Sequence, residues 1–276
     1  MSPLVAAIEA KSPSTVTVTN TESHQDKVSA VIITYNEELN IRRTLSRLYW
    51  CDEIVILDSY SSDKTVDICH EFGCKVFYRS FDGYGTQKRE AVARASNDWV
   101  LVIDADEVLS DGLISEIQET LKKKTEKAAF SIPMNLVFLD REFTRGKESH
   151  RYYIRLFNKK KGGFTADKVH EGIEVEGGIG KFNSTIKHYS YTSLHQCLEK
   201  CNKYSTLSAD MAFKKGKNKA VPVLLLSLPF NFIKYFLLDR NFMNGLKGFY
   251  WSVFSTYYHF AKYVKLNELN AAAKVA

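Results

Sequence analysis

Nowhere do the 276 residues run for the roughly 18 uninterrupted apolar positions that a membrane-spanning helix needs. Residues 221–238 come near it, but Pro222, Pro229, Asn231 and Lys234 interrupt them. The chain also lacks Gly-x-Gly-x-x-Gly and the P-loop pattern, which sets aside dinucleotide dehydrogenases and P-loop kinases. Its five cysteines, Cys51, Cys69, Cys74, Cys197 and Cys201, are odd in number and have no zinc-ligand spacing, so a reducing cytosol fits best. Lysine clusters occur without an RNP-type or helix-turn-helix frame, and no nucleic-acid partner is expected. Residues 1–27, rich in Ser, Thr and charge, hold no apolar run of signal-peptide length and read as a disordered leader.

What is present is an ordinary globular composition, 45% hydrophobic, enough for one large domain with a smaller appendage. The net charge of +6 gathers late, around Lys159-Lys160-Lys161 and residues 214–219, which favours an anionic partner near the C-terminal half. The stretch that organises the rest is Trp99-Val100-Leu101-Val102-Ile103-Asp104-Ala105-Asp106-Glu107. Its apolar run reads as a strand buried on both faces, and it stops at three acids within four positions. Alternation along an extended chain points Asp104 and Asp106 the same way, with Ala105 opposite. Two converging carboxylates with room for other ligands suit Mg2+ or Mn2+ completed by substrate phosphates. A solvated turn leading into a helix capped by Ser110 or Asp111 accounts for the same residues.

The surrounding pattern favours a ligand site. Strands are expected over residues 28–34, 53–57, 74–78 and 99–103, each followed by a helical pattern (39–50, 64–72, 83–95 and 111–124). Four such repeats indicate a parallel sheet with right-handed crossovers. Their carboxyl ends bring residues 34–38, 58–63, the loop after Tyr78 and 104–107 onto one rim, where α/β sheets bind ligands. Strands are then expected over 128–139, 152–157, 168–175 and 182–188, forming a mixed or antiparallel half. From Leu194 the pattern is helical, with Cys197 and Cys201 facing a core. Aromatic and cationic residues interleave over residues 241–266, which suits a bilayer headgroup boundary; a helical pair packed on the domain, or a dimer interface, is the other reading.

With these loops in place the chain resembles the family 2 inverting glycosyltransferases of the GT-A fold. The matching motifs are Val31-Ile32-Ile33-Thr34-Tyr35-Asn36-Glu37-Glu38, Asp58-Ser59-Tyr60-Ser61-Ser62-Asp63-Lys64-Thr65 and Asp104-Ala105-Asp106-Glu107. Gln87-Lys88-Arg89, Arg155-Leu156-Phe157 and Val169-His170-Glu171 are similar to elements of a subgroup containing lipopolysaccharide inner-core β-1,4-glucosyltransferases. There the first element usually ends in Asn rather than Arg89. The resemblance implies an α/β, Rossmann-like mixed sheet with helices on both faces over residues 28–190; the residue pattern gives a C-terminal amphipathic, membrane-associating helical region over 191–276.

It further implies a nucleoside pocket lined by Thr34, Tyr35, Asn36, Glu37 and Asp58. Asp104 and Ala105 would stand on the nucleotide-sugar side, and Asp104 and Asp106 would hold the divalent ion. Lys88 or Arg89 adds a positive contact or is simply a solvated helix charge. One general base suffices for inversion. Glu171 is the candidate, with His170 orienting the acceptor or acting in its place; Asp140 and Asp167 are the fallbacks, and a polar strand end is the plain alternative for the His-Glu pair. The implied activity is transfer of a hexose, glucose first, from a UDP-sugar to a lipid-linked saccharide such as the lipopolysaccharide inner core, by a peripheral protein at the cytoplasmic face of the inner membrane. Another nucleotide sugar used for a capsule, polysaccharide or protein glycan, or a non-catalytic membrane scaffold, is the alternative.

Overall fold

The computed structural model describes residues 26–165, 172–218 and 221–275. The chain runs through β1 (Val28–Thr34), α1 (Ile41–Leu45), β2 (Glu53–Asp58), α2 (Thr65–Glu71), β3 (Lys75–Tyr78), α3 (Tyr84–Ala93) and β4 (Trp99–Val102). β1 pairs parallel with β2 and β4, and β2 with β3, so all four strands end on one rim. Along β4 and the next residue, Trp99, Leu101 and Ile103 enter the core on one face of the sheet while Val100 and Val102 enter the core on the other. That two-sided burial is why the strand reads as an unbroken apolar run. Helices cover both faces: α1, α2 and later α4 contribute Ile41, Leu45, Ile68 and Leu113 to the first core, and α3 contributes Ala91 and Val92 to the second.

The remaining strands are β5 (Glu107–Leu109), β6 (Ala129–Phe138), β7 (Arg141–Glu142), β8 (Arg151–Asn158), β9 (Gly162–Phe164), β10 (Ile173–Val175), β11 (Ile179–Lys181) and β12 (Ile186–Tyr191), with α4 (Asp111–Lys122) following β5. β8 lies antiparallel between β4 and β6, and the sheet continues through β12 to β5, so it is mixed as expected. Ser110 caps α4, accepting from Leu113 N at 3.3 Å.

Several boundaries differ from the sequence expectation. The helix expected over residues 39–50 shrinks to Ile41–Leu45, because Arg47 N, Leu48 N and Cys51 N bond three residues back and the Arg47 side chain leaves to donate to Leu109 O. The strand expected over 182–188 is split. Phe182 stacks on Phe130 at 4.7 Å, Asn183 N and Ser184 N donate to Glu116, and β12 starts only at Ile186. Of the strand expected over 168–175, Ile173–Val175 is formed, and residues 168–171 lie outside the described residues. Residues 104–107 are not extended: Glu107 N donates to Asp104 O at 3.0 Å, which closes a turn between β4 and β5.

The C-terminal part comprises α5 (Leu194–Lys214), α6 (Val221–Ile233), a wide π turn (Lys234–Leu238), a 3-10 turn (Asn241–Asn244) and α7 (Gly245–Val275). α5 and α7 pack together, with Ser208 and Tyr258 hydroxyls 2.7 Å apart and Lys265 Nζ bonded to Asn202 and Thr206. Trp251 fixes α7 to the sheet, its ring 5.4 Å from that of Phe138. Among the described residues no single helix is long and apolar enough to cross a membrane; residues 222–238 and 241–273, bent by 65°, pass that test only as a pair.

Candidate active site

The rim is built by loops that bond one another. After β1, Asn36 takes a left-handed conformation (φ 53°), which directs its N–H to Ser61 Oγ (2.9 Å) and its side-chain oxygen to Ser62 N (2.8 Å). Glu37 N donates to Thr65 Oγ1 (2.7 Å) and Glu37 accepts from Asn40 (2.9 Å). Asp58 is fully buried; it accepts from Thr34 Oγ1 (2.9 Å) and from the backbone and hydroxyl of Ser61 (2.7 and 2.5 Å). Thr34 and Asp58, both expected in the nucleoside pocket, thus set the shape of the loop from beneath it. Tyr35 is 60% exposed at the same rim, and Tyr60 stacks on Tyr78 at 5.9 Å, both open to solvent.

Asp104 is gripped from two directions. Lys88 Nζ, from α3, lies 2.8 Å from one oxygen, and Arg155 from β8 lies 3.3 Å from the other. Arg155 follows from strand register: Leu101 on β4 faces Leu156 on β8, which puts Arg155 beside the end of β4. It also pairs with fully buried Glu107 at 2.5 Å. Burial favours the protonated form of Asp104, yet Arg155 and Lys88 override it and hold the carboxyl below the usual carboxylate range. Glu107 moves the other way, its burial pushing it up to about 7 against the pull of Arg155.

Asp106 faces His188, with Oδ2 3.3 Å from Nε2. His188 stands opposite Glu107 in the antiparallel β12–β5 pair, and Tyr189 N donates to Asp106 O at 2.8 Å, so sheet pairing fixes the contact. Burial disfavours the charged imidazole, but Asp106 and then Glu107 and Asp104 raise its pKa above the ordinary value. Asp104, Glu107, Arg155 and His188 line a cavity of about 810 Å³, walled on its far side by α5 and α7.

Among the described residues no three His, Cys, Asp or Glu side chains gather as a ready metal cage. A carboxylate and an imidazole side by side still fit Mg2+ or Mn2+, hard ions that take much of their shell from phosphate and water. Asp104, expected as a metal ligand, has Lys88 and Arg155 on its two oxygens, and Asp106, expected with it, stands beside His188; Asp106 and His188 could hold an ion.

The structure brings together Lys88, Asp104 and Asp106. Ala105 is buried, its carbonyl accepting from Thr44 at 2.7 Å, and its side chain belongs to the core. Arg89 is exposed and points to Thr165 O at 3.5 Å. His170, Glu171 and the fallback Asp167 lie outside the described residues, although Thr165 N bonds Gly172 O at 2.9 Å and ties the two ends of that segment. Asp140 sits in a left-handed turn (φ 64°) between β6 and β7 and is absent from the cavity lining. Sequence reasoning missed His188 altogether and the contacts of Arg155. Each depends on long-range pairing, and the only local signal was a histidine at the end of an expected strand.

The description "Glycosyl transferase family 2" fits residues 29–178. An uncharacterized glycosyltransferase of Rickettsia bellii is 34% identical over 88% of this chain and 87% of its own. The lipopolysaccharide core biosynthesis glycosyltransferase LpsC of Rhizobium meliloti is 30% identical over 88% of this chain and 93% of its own. The crystal structure of S. aureus TarS overlaps 80% of this chain and 46% of that one with 16% identity and a TM-score of 0.44. The family match over the rim-bearing domain and the near full-length relatives establish that this chain belongs to glycosyl transferase family 2 and is a glycosyltransferase.

Proposed function

We propose that this enzyme moves a hexose, glucose in the first place, from a UDP-sugar to a lipid-linked saccharide of the lipopolysaccharide inner-core type, with inversion, while bound peripherally at the cytoplasmic face of the inner membrane. The observation that carries the donor side is the paired arrangement at the end of β4: Asp104 held by Lys88 and Arg155, and Asp106 beside His188. Asp106 and His188 would hold a Mg2+ or Mn2+ ion, which when bound supplies positive charge to the departing diphosphate. In this reading Tyr35, Asn36 and Glu37 line the nucleoside pocket, a role supported by exposed Tyr60 and Tyr78, which offer ring faces at the same rim.

Lys88 adds a cation at the same rim, and its pairing with Asp104 keeps it oriented when no substrate is there. Inversion takes one displacement, with a base removing the proton of the attacking hydroxyl; Glu171, with His170 beside it, keeps that assignment in this reading. Support for the acceptor comes from the name of the Rhizobium relative and from the cavity beyond Asp104, whose far wall is the helical region. Support for membrane contact comes from exposed Leu225, Leu226, Phe230, Leu237, Leu238 and Leu246 on the bent helical pair, with Lys214, Lys215 and Lys217 at the end of α5 suiting an anionic bilayer.

The test is UDP release by the purified protein with UDP-glucose, Mn2+ and a detergent-solubilised lipopolysaccharide-precursor acceptor, run beside UDP-galactose and the N-acetylhexosamine donors. Acceptor-dependent UDP release from UDP-glucose is expected. No release from any nucleotide sugar sinks the reading, and release from a different donor replaces glucose.

A further inference from the structure

We propose that Lys200, on α5, is a diphosphate-binding residue whose ammonium contacts the donor's diphosphate, so that the helical region completes the donor site. The proposal rests on the donor reading above. Lys200 lies outside residues 29–178, in the part of the chain that the family description does not reach.

Ser193 caps α5 by accepting from Gln196 N at 3.1 Å, and this sets the helix phase. Cys197 and Cys201 are then buried against Phe138, and Lys200 and Tyr204 reach the wall of the cavity that Asp104 and His188 also line. Lys200 Nζ donates to Ser190 O at 2.9 Å and stands 5.4 Å from the Tyr191 ring. Ser190 Oγ is 2.9 Å from His188 Nε2, which is 3.3 Å from Asp106. The ammonium is thus separated from the Asp106–His188 pair by a single residue, and its charge is felt by the carboxyls of both Asp106 and Glu37.

Its partners decide the role. Lys88 and Arg155 have carboxylates at 2.8 and 2.5 Å, whereas Lys200 has no carboxylate ion pair among the described residues. An ammonium has three N–H groups, of which the Ser190 carbonyl takes one. A half-buried cation beside the proposed diphosphate position, with donors left over, is complementary to a doubly charged anion. The bland alternative is an anchor that pins α5 to β12 through Ser190. That role would act on any ligand alike, or on none.

Wild type, Lys200→Gln and Lys200→Arg are titrated calorimetrically with UDP and with uridine in Mg2+ buffer, and their melting temperatures are compared. Lys200→Gln is expected to weaken UDP about tenfold and leave uridine unchanged, with Lys200→Arg restoring most of the loss. Equal UDP affinity in wild type and Lys200→Gln, or an equal loss for UDP and uridine, overturns the proposal. If the wild type binds neither ligand, the donor reading falls first and takes this one with it. A second readout keeps the lysine charged: in protein carrying 13C-dimethyl lysines, the Lys200 signal, assigned by its loss in Lys200→Arg, shifts with UDP and not with uridine. No shift with UDP overturns the proposal even where Lys200→Gln does not fold.

Discussion

The rim formed by β1 to β4 and the bent helical pair from Val221 onward treat their exposed side chains in opposite ways. At the rim, Asn36, Glu37, Asp58, Ser61 and Thr65 are bonded across two loops, and the charged groups below them sit in a buried network. On the helical pair, Leu226 is 73% and Leu238 69% exposed, among further uncovered leucines and phenylalanines. Preorganised polar loops keep their shape for a polar ligand in water. An uncovered apolar face is stable only where something apolar meets it. The difference is between loops held in shape by their own hydrogen bonds and helices whose apolar side chains are left uncovered.

The comparison can be broken most forcefully through Arg155. Arg155→Met leaves Asp104 and buried Glu107 without their shared cation and is expected to cost about 3 kcal/mol of stability, measured by urea unfolding. Glu107 can take up a proton, since burial already pushes it up to about 7, so the loss should shrink toward pH 6. A loss under about 0.5 kcal/mol would mean that the network does not hold the rim. Asp106→Ala should lower donor turnover by about 100-fold or more, with the melting temperature changed little. Unchanged turnover would remove Asp106 from the site.

Glu53 tests the scaffold below the rim. It takes the Ser29 hydroxyl at 2.5 Å, Lys75 at 2.7 Å and the Ser96 hydroxyl at 3.0 Å, and although burial opposes ionisation these bonds hold its pKa down to about 2. A depressed carboxyl contributes stability that is present above its unfolded value near 4.5 and is lost as pH falls through about 2. Glu53→Gln should therefore cost about 2 kcal/mol at neutral pH, and the gap to wild type should close between pH 4.5 and 2. A gap independent of pH would refute the linkage.

The smallest effect on the fold belongs to the other region. Leu226→Glu with Phe230→Glu should change stability by about 0.5 kcal/mol or less while abolishing co-sedimentation with anionic vesicles. Donor turnover with a soluble acceptor should persist; its loss would show that the two regions cannot be separated.

The legible parts of the fold are those with a local period. β1, β2 and β4 sit within a residue or so of expectation, because burial on both faces leaves an uninterrupted apolar run, and the late helices follow from their i, i+3 and i+4 pattern. The turn at Asp104 was misread as extended because a hydrogen bond from Glu107 N to Asp104 O leaves no mark in hydropathy. Lys88, Asp104 and Asp106 could be picked out because each lies next to a strand end or helix start. His188 and Lys200 could not, since their places depend on which strand pairs with β5 and where α5 settles.

The position of β8 between β4 and β6 sets an order of events during synthesis. Asp104 and Lys88, its first cation, leave the ribosome together, but Arg155, which Asp104 shares with Glu107, is encoded dozens of codons later. A nascent chain stopped before Arg155 therefore carries Glu107 without a cation and Asp104 with Lys88 alone, so the charge network beneath the rim is completed only when the antiparallel insertion has arrived.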